Sequence, residues 1–260
     1  MNDRQAEAYL ERIGYTGSRE LTGSTLDGLI KAHIGSVPFE NLDIYEWHQV
    51  PSLEEADLYE KIVGRHRGGY CFEQNTLFGA LLDALGFPVY PIVVRLLGGP
   101  GPLRPYAHKG LIVSAEGRNW YCDVGFGGPG PKGVVEIREG EQEVGGILFR
   151  GTMRPENFLI ERLDGDVWTE VMYFAERPIE PCDFLPLNFY TAREEHSYFL
   201  TDRMLNLTLP NGSKALTGTH FTLRENGKVT ERDVTTKEEL EQLMREEYGI
   251  DVVLPDAAKL

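Results

Sequence analysis

Gly86-Phe87-Pro88 divides the chain into two kinds of hydrophobic pattern. Upstream, apolar residues recur at helical spacing. Downstream, short alternating runs are broken by frequent turns. Glycine followed closely by proline ends a helix, since glycine accepts the left-handed cap and proline cannot extend the ladder. A helical part must therefore precede a β-rich part, so the fold class is α+β.

In the first part, Ala6, Tyr9, Leu10 and Ile13 predict a helix over 5–13. Leu26, Leu29, Ile30 and His33 share one face of a second helix, starting after Ser24 or Thr25. Leu58, Ile62 and Val63 face inward from a third over 53–63, and a fourth runs over 72–85. Beyond Pro88, strands are expected over 89–97, 110–115, 119–124, 134–138, 147–150, 158–162 and 167–174. Gly98-Gly99-Pro100-Gly101, Glu116-Gly117 and Asp164-Gly165-Asp166 punctuate them. Many short strands with frequent turns predict an antiparallel barrel or sandwich. After Thr191 the pattern gives strands over 198–200, 204–209, 220–225 and 228–234, then an acidic helix over 237–248.

The net charge of −15 over 260 residues argues against nucleic acid and anionic membranes as partners. No run approaches the roughly 20 apolar residues of a membrane span. The first residues are too polar for a secretory signal. Cys71, Cys122 and Cys182 are odd in number and show no close pairing, which points to free thiols in a reducing cytoplasm.

Cys71 sits in Arg67-Gly68-Gly69-Tyr70-Cys71-Phe72-Glu73-Gln74-Asn75. Two glycines lead into it and an apolar helical pattern leaves it. That puts the thiol at a helix start, where the partial positive charge favours the thiolate, the nucleophilic form. Cys71 precedes Phe78 by seven residues and Leu82 by eleven, so it lies on the inward face. Backbone amides at the helix start are candidates for an oxyanion site.

A thiol nucleophile needs a base. Of the six histidines, His108 opens a strand that turns at Glu116-Gly117 and returns through Asn119-Trp120-Tyr121-Cys122-Asp123. A two-residue turn pairs Ala115 with Arg118. Asp123 then lies opposite Gly110, with His108 two residues along the same face and within side-chain reach. Gly110 is expected to leave space for that contact, and strand alternation turns Cys122 away as a packed thiol. On this reading Asp123 orients His108, and His108 takes the proton of Cys71. From spacing alone, a triad and three unrelated structural residues remain alternatives.

These segments resemble the arylamine N-acetyltransferases, prokaryotic type. The resemblance is carried by the Cys71 segment, the strand from His108, Asp123-Val124-Gly125-Phe126-Gly127 and Val37-Pro38-Phe39-Glu40-Asn41-Leu42. Weaker similarity continues through Asn188-Phe189-Tyr190-Thr191 and Ser197-Tyr198-Phe199. The resemblance implies a papain-like cysteine-nucleophile fold. Its parts would be a helical bundle over 1–88, a β-barrel over 89–190 and an α/β lid over 191–260. It implies a triad of Cys71, His108 and Asp123. It also implies ping-pong transfer of an acetyl group from acetyl-CoA to an arylamine, arylhydroxylamine or hydrazine. Phe126 and Phe39 would line the acceptor pocket, Gly127 and Gly128 would contact coenzyme A, and Glu40 with Arg67 would form a structural ion pair.

Gly125-Phe126-Gly127-Gly128-Pro129-Gly130 matches a dinucleotide-binding pattern in form only, because the following Pro131-Lys132-Gly133 cannot open the helix that motif requires. No residues have metal-ligand spacing, so no metal is expected. Two other classes stay open beside the transferase: an amide synthase or hydrolase using the same triad, and a non-catalytic binding module.

Overall fold

The computed structural model describes residues 1–98, 103–256 and 258. Residues 99–102 of the expected Gly98 turn lie outside the described residues. Asn2 caps α1 (Asp3–Arg12) by accepting from the Gln5 amide at 3.0 Å. Thr22 caps α2 (Gly23–Ser36) through the Thr25 amide. A two-residue strand, β1 (Phe39–Glu40), and a one-turn helix, α3 (Leu42–Tyr45), follow. The expected helix over 53–63 is α4 (Glu55–Tyr59) running into a wider π turn over Glu60–Gly64, closed by Arg65 N donating to Glu60 O.

The fourth helix, α5 (Cys71–Ala84), is the axis of this part. Its Leu77, Phe78, Leu81 and Leu82 share a buried core with Tyr9, Leu10, Leu26, Leu29, Leu58 and Ile62. Gly86 follows it at φ +92°, a conformation that glycine adopts without strain.

The β-rich part is one antiparallel sheet of eight strands: β2 (Val89–Leu96), β3 (His108–Ala115), β4 (Arg118–Cys122), β5 (Val135–Glu136), β6 (Gly140–Val144), β7 (Ile147–Met153), β8 (Phe158–Asp164) and β9 (Val167–Phe174). The spatial order is β5-β4-β3-β2-β9-β8-β7-β6. The sheet curls into a nearly closed barrel. Its edge strands β5 and β6 are bridged by Gln142, which accepts from Glu136 N at 2.8 Å and donates to Glu136 O at 2.9 Å. Ile92, Val94, Ile112, Tyr121, Phe149, Ile160 and Phe174 fill the interior. Strand β6 was not anticipated, because Glu141, Gln142 and Glu143 mask its alternation.

The remainder carries α6 (Phe184–Arg193), α7 (Tyr198–Thr201), β10 (Met204–Leu209), β11 (Gly212–Thr217), β12 (His220–Glu225), β13 (Lys228–Asp233) and α8 (Lys237–Tyr248). The strands form a five-stranded sheet in the order β1-β10-β11-β12-β13, so Phe39 and Glu40 complete a sheet built otherwise from the C-terminal region. Leu240, Leu243, Met244 and Tyr248 of α8 pack against Leu205, Leu216 and Phe221. The strand expected over 198–200 is instead the one-turn helix α7, capped by Ser197. Among the described residues, no helix is long and apolar enough to cross a membrane.

Candidate active site

Cys71 is the first residue of α5 and is buried. The lead-in threads a narrow gap. A Cβ on Gly68 would stand 1.9 Å from Pro38 O, so only glycine passes there. Gly69 forms a parallel bridge to Phe39, and its carbonyl accepts from Glu40 N at 3.0 Å and from Gln74 Nε2 at 2.7 Å. The run into Cys71 is thus fixed by backbone contacts on both sides.

Beneath the helix start lies a buried charge cluster. Arg67 Nε donates to Glu40 Oε1 at 2.9 Å, the pair implied by resemblance, and Arg67 Nη2 reaches Asp43 at 2.9 Å. Lys61 joins them, 2.7 Å from Asp43 and 2.6 Å from Glu73. Two cations face three carboxylates. Burial, and the like charges of Glu40 and Asp43, outweigh the Lys61 contact and raise Glu73 to about 7. Lys61 sits on the π turn, and a lysine in a charged segment gives no sequence sign of burial.

The β3–β4 hairpin takes the expected register, with Ala115 opposite Arg118 and Leu111 opposite Cys122. Glu116 and Gly117 occupy its turn at φ +54° and +71°, matching the twist of the paired strands. Asp123 follows directly on β4. His108 Nε2 and Asp123 Oδ2 are 2.7 Å apart, and both side chains are buried. Gly110 serves a different purpose from the one expected. A Cβ there would lie 2.5 Å from the Tyr121 ring, so the glycine makes room for Tyr121, whose hydroxyl donates to Asp123 Oδ2 at 2.9 Å.

Asp123 is held from several sides. Its Oδ1 accepts from Asn75 Nδ2 at 2.8 Å and from Gly125 N at 2.9 Å. Burial acts to raise its pKa, but the His108 charge and these donors prevail, and the carboxyl stays below its ordinary value. Burial likewise opposes a charged His108, yet the Asp123 charge and then Cys71 overcome it, raising the imidazole to about 10. Cys71 and His108 line the same cavity. With Nε2 committed to Asp123, Nδ1 is the nitrogen left for a second partner.

Asn75 is a site residue that sequence reasoning left without a role. It lies one turn beyond Cys71 on α5, and that i+4 spacing was the available signal. Besides Asp123 it donates to Lys109 O at 2.7 Å, and it accepts from Val124 N at 2.9 Å. Lys109 was also missed. Its ammonium donates to Thr76 Oγ1 at 2.6 Å and sits 4.3 Å from the Phe184 ring centre. Burial lowers it to about 8, partly offset by Cys71. Cys122 is fully buried, and burial pushes its thiol well up.

A cavity of about 370 Å³ opens onto Cys71 and His108, and Phe39, Phe126, Gly127, Tyr198 and Phe199 are among its walls. The Phe126 ring packs edge-on to His108 at 5.8 Å. A neighbouring cavity, also about 370 Å³, shares Phe39, Phe126 and Gly127 and adds Gly128, Lys132 and Arg224. Gly125 matters through contact rather than conformation: a Cβ there would fall 2.6 Å from Cys71 Cα. The structure thus places Cys71 and His108 on the wall of one cavity, with His108 paired to Asp123, Phe39 and Phe126 lining the same cavity, and Gly127 and Gly128 in the adjoining cleft.

A family model for N-acetyltransferases matches residues 23–257. The arylamine N-acetyltransferase of Escherichia coli K12 is 32% identical over 248 residues, spanning 94% of this chain and 88% of its own length. The solved arylamine N-acetyltransferase of Salmonella typhimurium superposes with a TM-score of 0.89 at 28% identity, covering 100% of this chain and 96% of that one. The Mycobacterium marinum arylamine N-acetyltransferase, solved in complex with CoA, gives 0.86 at 27% identity over 94% of this chain and 92% of that one. Sequence and fold agree: this chain belongs to the arylamine N-acetyltransferase family.

Proposed function

We propose that this protein transfers an acetyl group from acetyl-CoA to the nitrogen of arylamines, arylhydroxylamines or hydrazines through an acetyl-Cys71 intermediate. The observation that carries the reading is His108, hydrogen-bonded to Asp123 on one side and beside Cys71 on the other, at the floor of an aromatic-walled cavity.

His108 already holds the Cys71 proton when the sulfur attacks the thioester carbonyl. The C–S bond to coenzyme A breaks, and His108 returns the proton to the departing thiol. The amine then attacks the acetyl-cysteine, His108 accepts its proton, and the Cys71 sulfur leaves as the amide forms. Asp123 keeps the imidazole in the orientation both steps need. The amides of the first turn of α5 lack partners within the helix and are suited to the developing oxyanion.

Phe126 and Phe39 form the acceptor walls in this reading. Gly127 and Gly128 approach coenzyme A, and Lys132 and Arg224 in the same cleft supply the local cations that its phosphates need on an acidic protein. Residues 1–88 supply the nucleophile, 89–190 the base and its carboxylate, and 191–260 the cover.

Intact-mass measurement tests this. Acetyl-CoA should add one acetyl group to the wild type and none to Cys71→Ser, and the adduct should persist in buffer and discharge to an arylamine. Rapid loss of the adduct in buffer alone would make the protein a hydrolase, and no adduct would remove the nucleophile assignment.

A further inference from the structure

Among the described residues, the buried lysines and arginines are Lys61, Arg67, Lys109 and Arg203. Lys61 and Arg67 meet Asp43, Glu73 and Glu40, and Arg203 meets Glu46. Lys109 is only 5% exposed, yet no carboxylate of the described residues lies within ion-pair distance of it. An ammonium taken out of water without a counter-charge is costly, and such groups concentrate where the charge has a use.

The charge is fixed in place from both ends. The Lys109 carbonyl accepts from Asn75 Nδ2 at 2.7 Å, which ties its backbone to α5. Its ammonium donates to Thr76 Oγ1 at 2.6 Å, and that hydroxyl donates to the carbonyl of Phe72, the residue directly after Cys71. On its other side the ammonium lies 4.3 Å from the ring centre of Phe184, which shares an apolar cluster with Phe72 and Cys71. Lys109 does not line the Cys71 cavity, so its charge acts on the site through packed protein, where screening is weak.

Cys71 is the ionisable group whose charge acts on this ammonium, and coupling between two titrating groups is mutual. The other groups that feel Cys71 are His108 on β3, Tyr121 on β4, Tyr198 on α7 and Tyr70 just ahead of α5. Burial raises all three tyrosines, so they stay neutral at neutral pH. Asp123 is paired to His108. His108 and Lys109 are thus the cations coupled to the sulfur.

We infer that Lys109 is a positioning residue: its buried ammonium is a second fixed cation, beside the His108 imidazolium, that holds the Cys71 sulfur as an anion before acylation. The inference rests on the reading of Cys71 as the nucleophile.

The test is alkylation of Cys71 by iodoacetamide across pH, read at that residue by peptide mass, in wild type and Lys109→Met. Methionine keeps an apolar stem and removes the charge. At low pH, where the rate still climbs about tenfold per pH unit, the variant should react about tenfold more slowly. At high pH, where the sulfur is ionised in both, the two rates should converge. The urea midpoint should not fall, because the substitution removes an uncompensated buried charge. Equal rates at low pH, or one ratio held at every pH, overturn the inference; a fall in stability with an unmoved pH profile would make Lys109 structural only. Should Lys109→Met fail to fold, Thr76→Val decides. It frees the ammonium from its anchor and should slow low-pH alkylation by a smaller factor, and an unmoved profile again overturns the inference. A wild type that takes no acetyl group from acetyl-CoA removes the nucleophile reading itself.

Discussion

Asn75 Nδ2 and Asp123 Oδ1 are 2.8 Å apart, joining the helix that begins with Cys71 to the segment that orients His108. The same amide spans to Lys109 O and Val124 N, so one side chain ties the Cys71 helix to the strand of His108 and the segment of Asp123. Asn75→Leu keeps the volume and removes a hydrogen bond from each of three buried groups, of which Asp123 Oδ1 retains the Gly125 amide. It should slow acetylation of Cys71 by about ten- to a hundredfold and cost about 2–3 kcal/mol of stability. Rapid-quench mass spectrometry and urea unfolding read the two effects.

His108 is predicted to stay protonated through neutral pH, because Asp123 and Cys71 raise it to about 10. Removing either support should lower it. NMR titration of the imidazole should give a reduced pKa in Cys71→Ala and a larger reduction in Asp123→Asn, since Asp123 is the stronger cause. Asp123→Asn should also reduce kcat/KM about a thousandfold or more through the wrong tautomer. An unchanged titration in both variants would refute the coupling.

Gly125→Ala tests how tightly the Asp123 segment approaches Cys71. The added methyl would fall 2.6 Å from Cys71 Cα, so backbone must shift. A loss of about 1–3 kcal/mol is expected, with acylation slowed more than coenzyme A binding is weakened. Wild-type acylation in this variant would mean that the segment yields freely.

His33 is expected to contribute to acid sensitivity. Gln74 Nε2 is occupied by Pro38 O and Gly69 O, so Gln74 Oε1 accepts from His33 Nε2, and Nδ1 is left to accept from Tyr9 OH. The neutral ring is fully paired, and burial lowers its pKa to about 3. Between about 3 and 6.5 the unfolded chain therefore binds a proton that the folded one refuses. Stability falls as pH falls through that window, at up to about 1.4 kcal/mol per unit. His33→Gln should be less stable at pH 7 and should close the gap on the wild type on acidification. Urea midpoints measured across that window would reveal it, and a constant gap would refute it.

The hairpin carrying His108 and Asp123 was legible because a two- or a four-residue loop around Glu116-Gly117 gives the same register, the one observed, and only a three-residue loop would shift it. Cys71 at a helix start was legible from its glycines. Tyr198-Phe199-Leu200 misled: its residues favour a strand, but Ser197 caps a helical turn and Phe199 packs against Tyr70 and Phe39. The α6 helix hid behind Pro186, which a first turn tolerates. The burial of Lys61 and the bracing by Asn75 depend on segments remote in sequence, which no local pattern records.

Two residues, Phe39 and Glu40, hydrogen-bond on one side to the strand at Asn206 and Leu205 and on the other to Gly69. The C-terminal sheet is thereby riveted to the run-up of Cys71. A swinging flap anchored only at its hinge would melt by itself; this one has to tear the thiol's own footing loose to depart. Calorimetry should accordingly record a single endotherm.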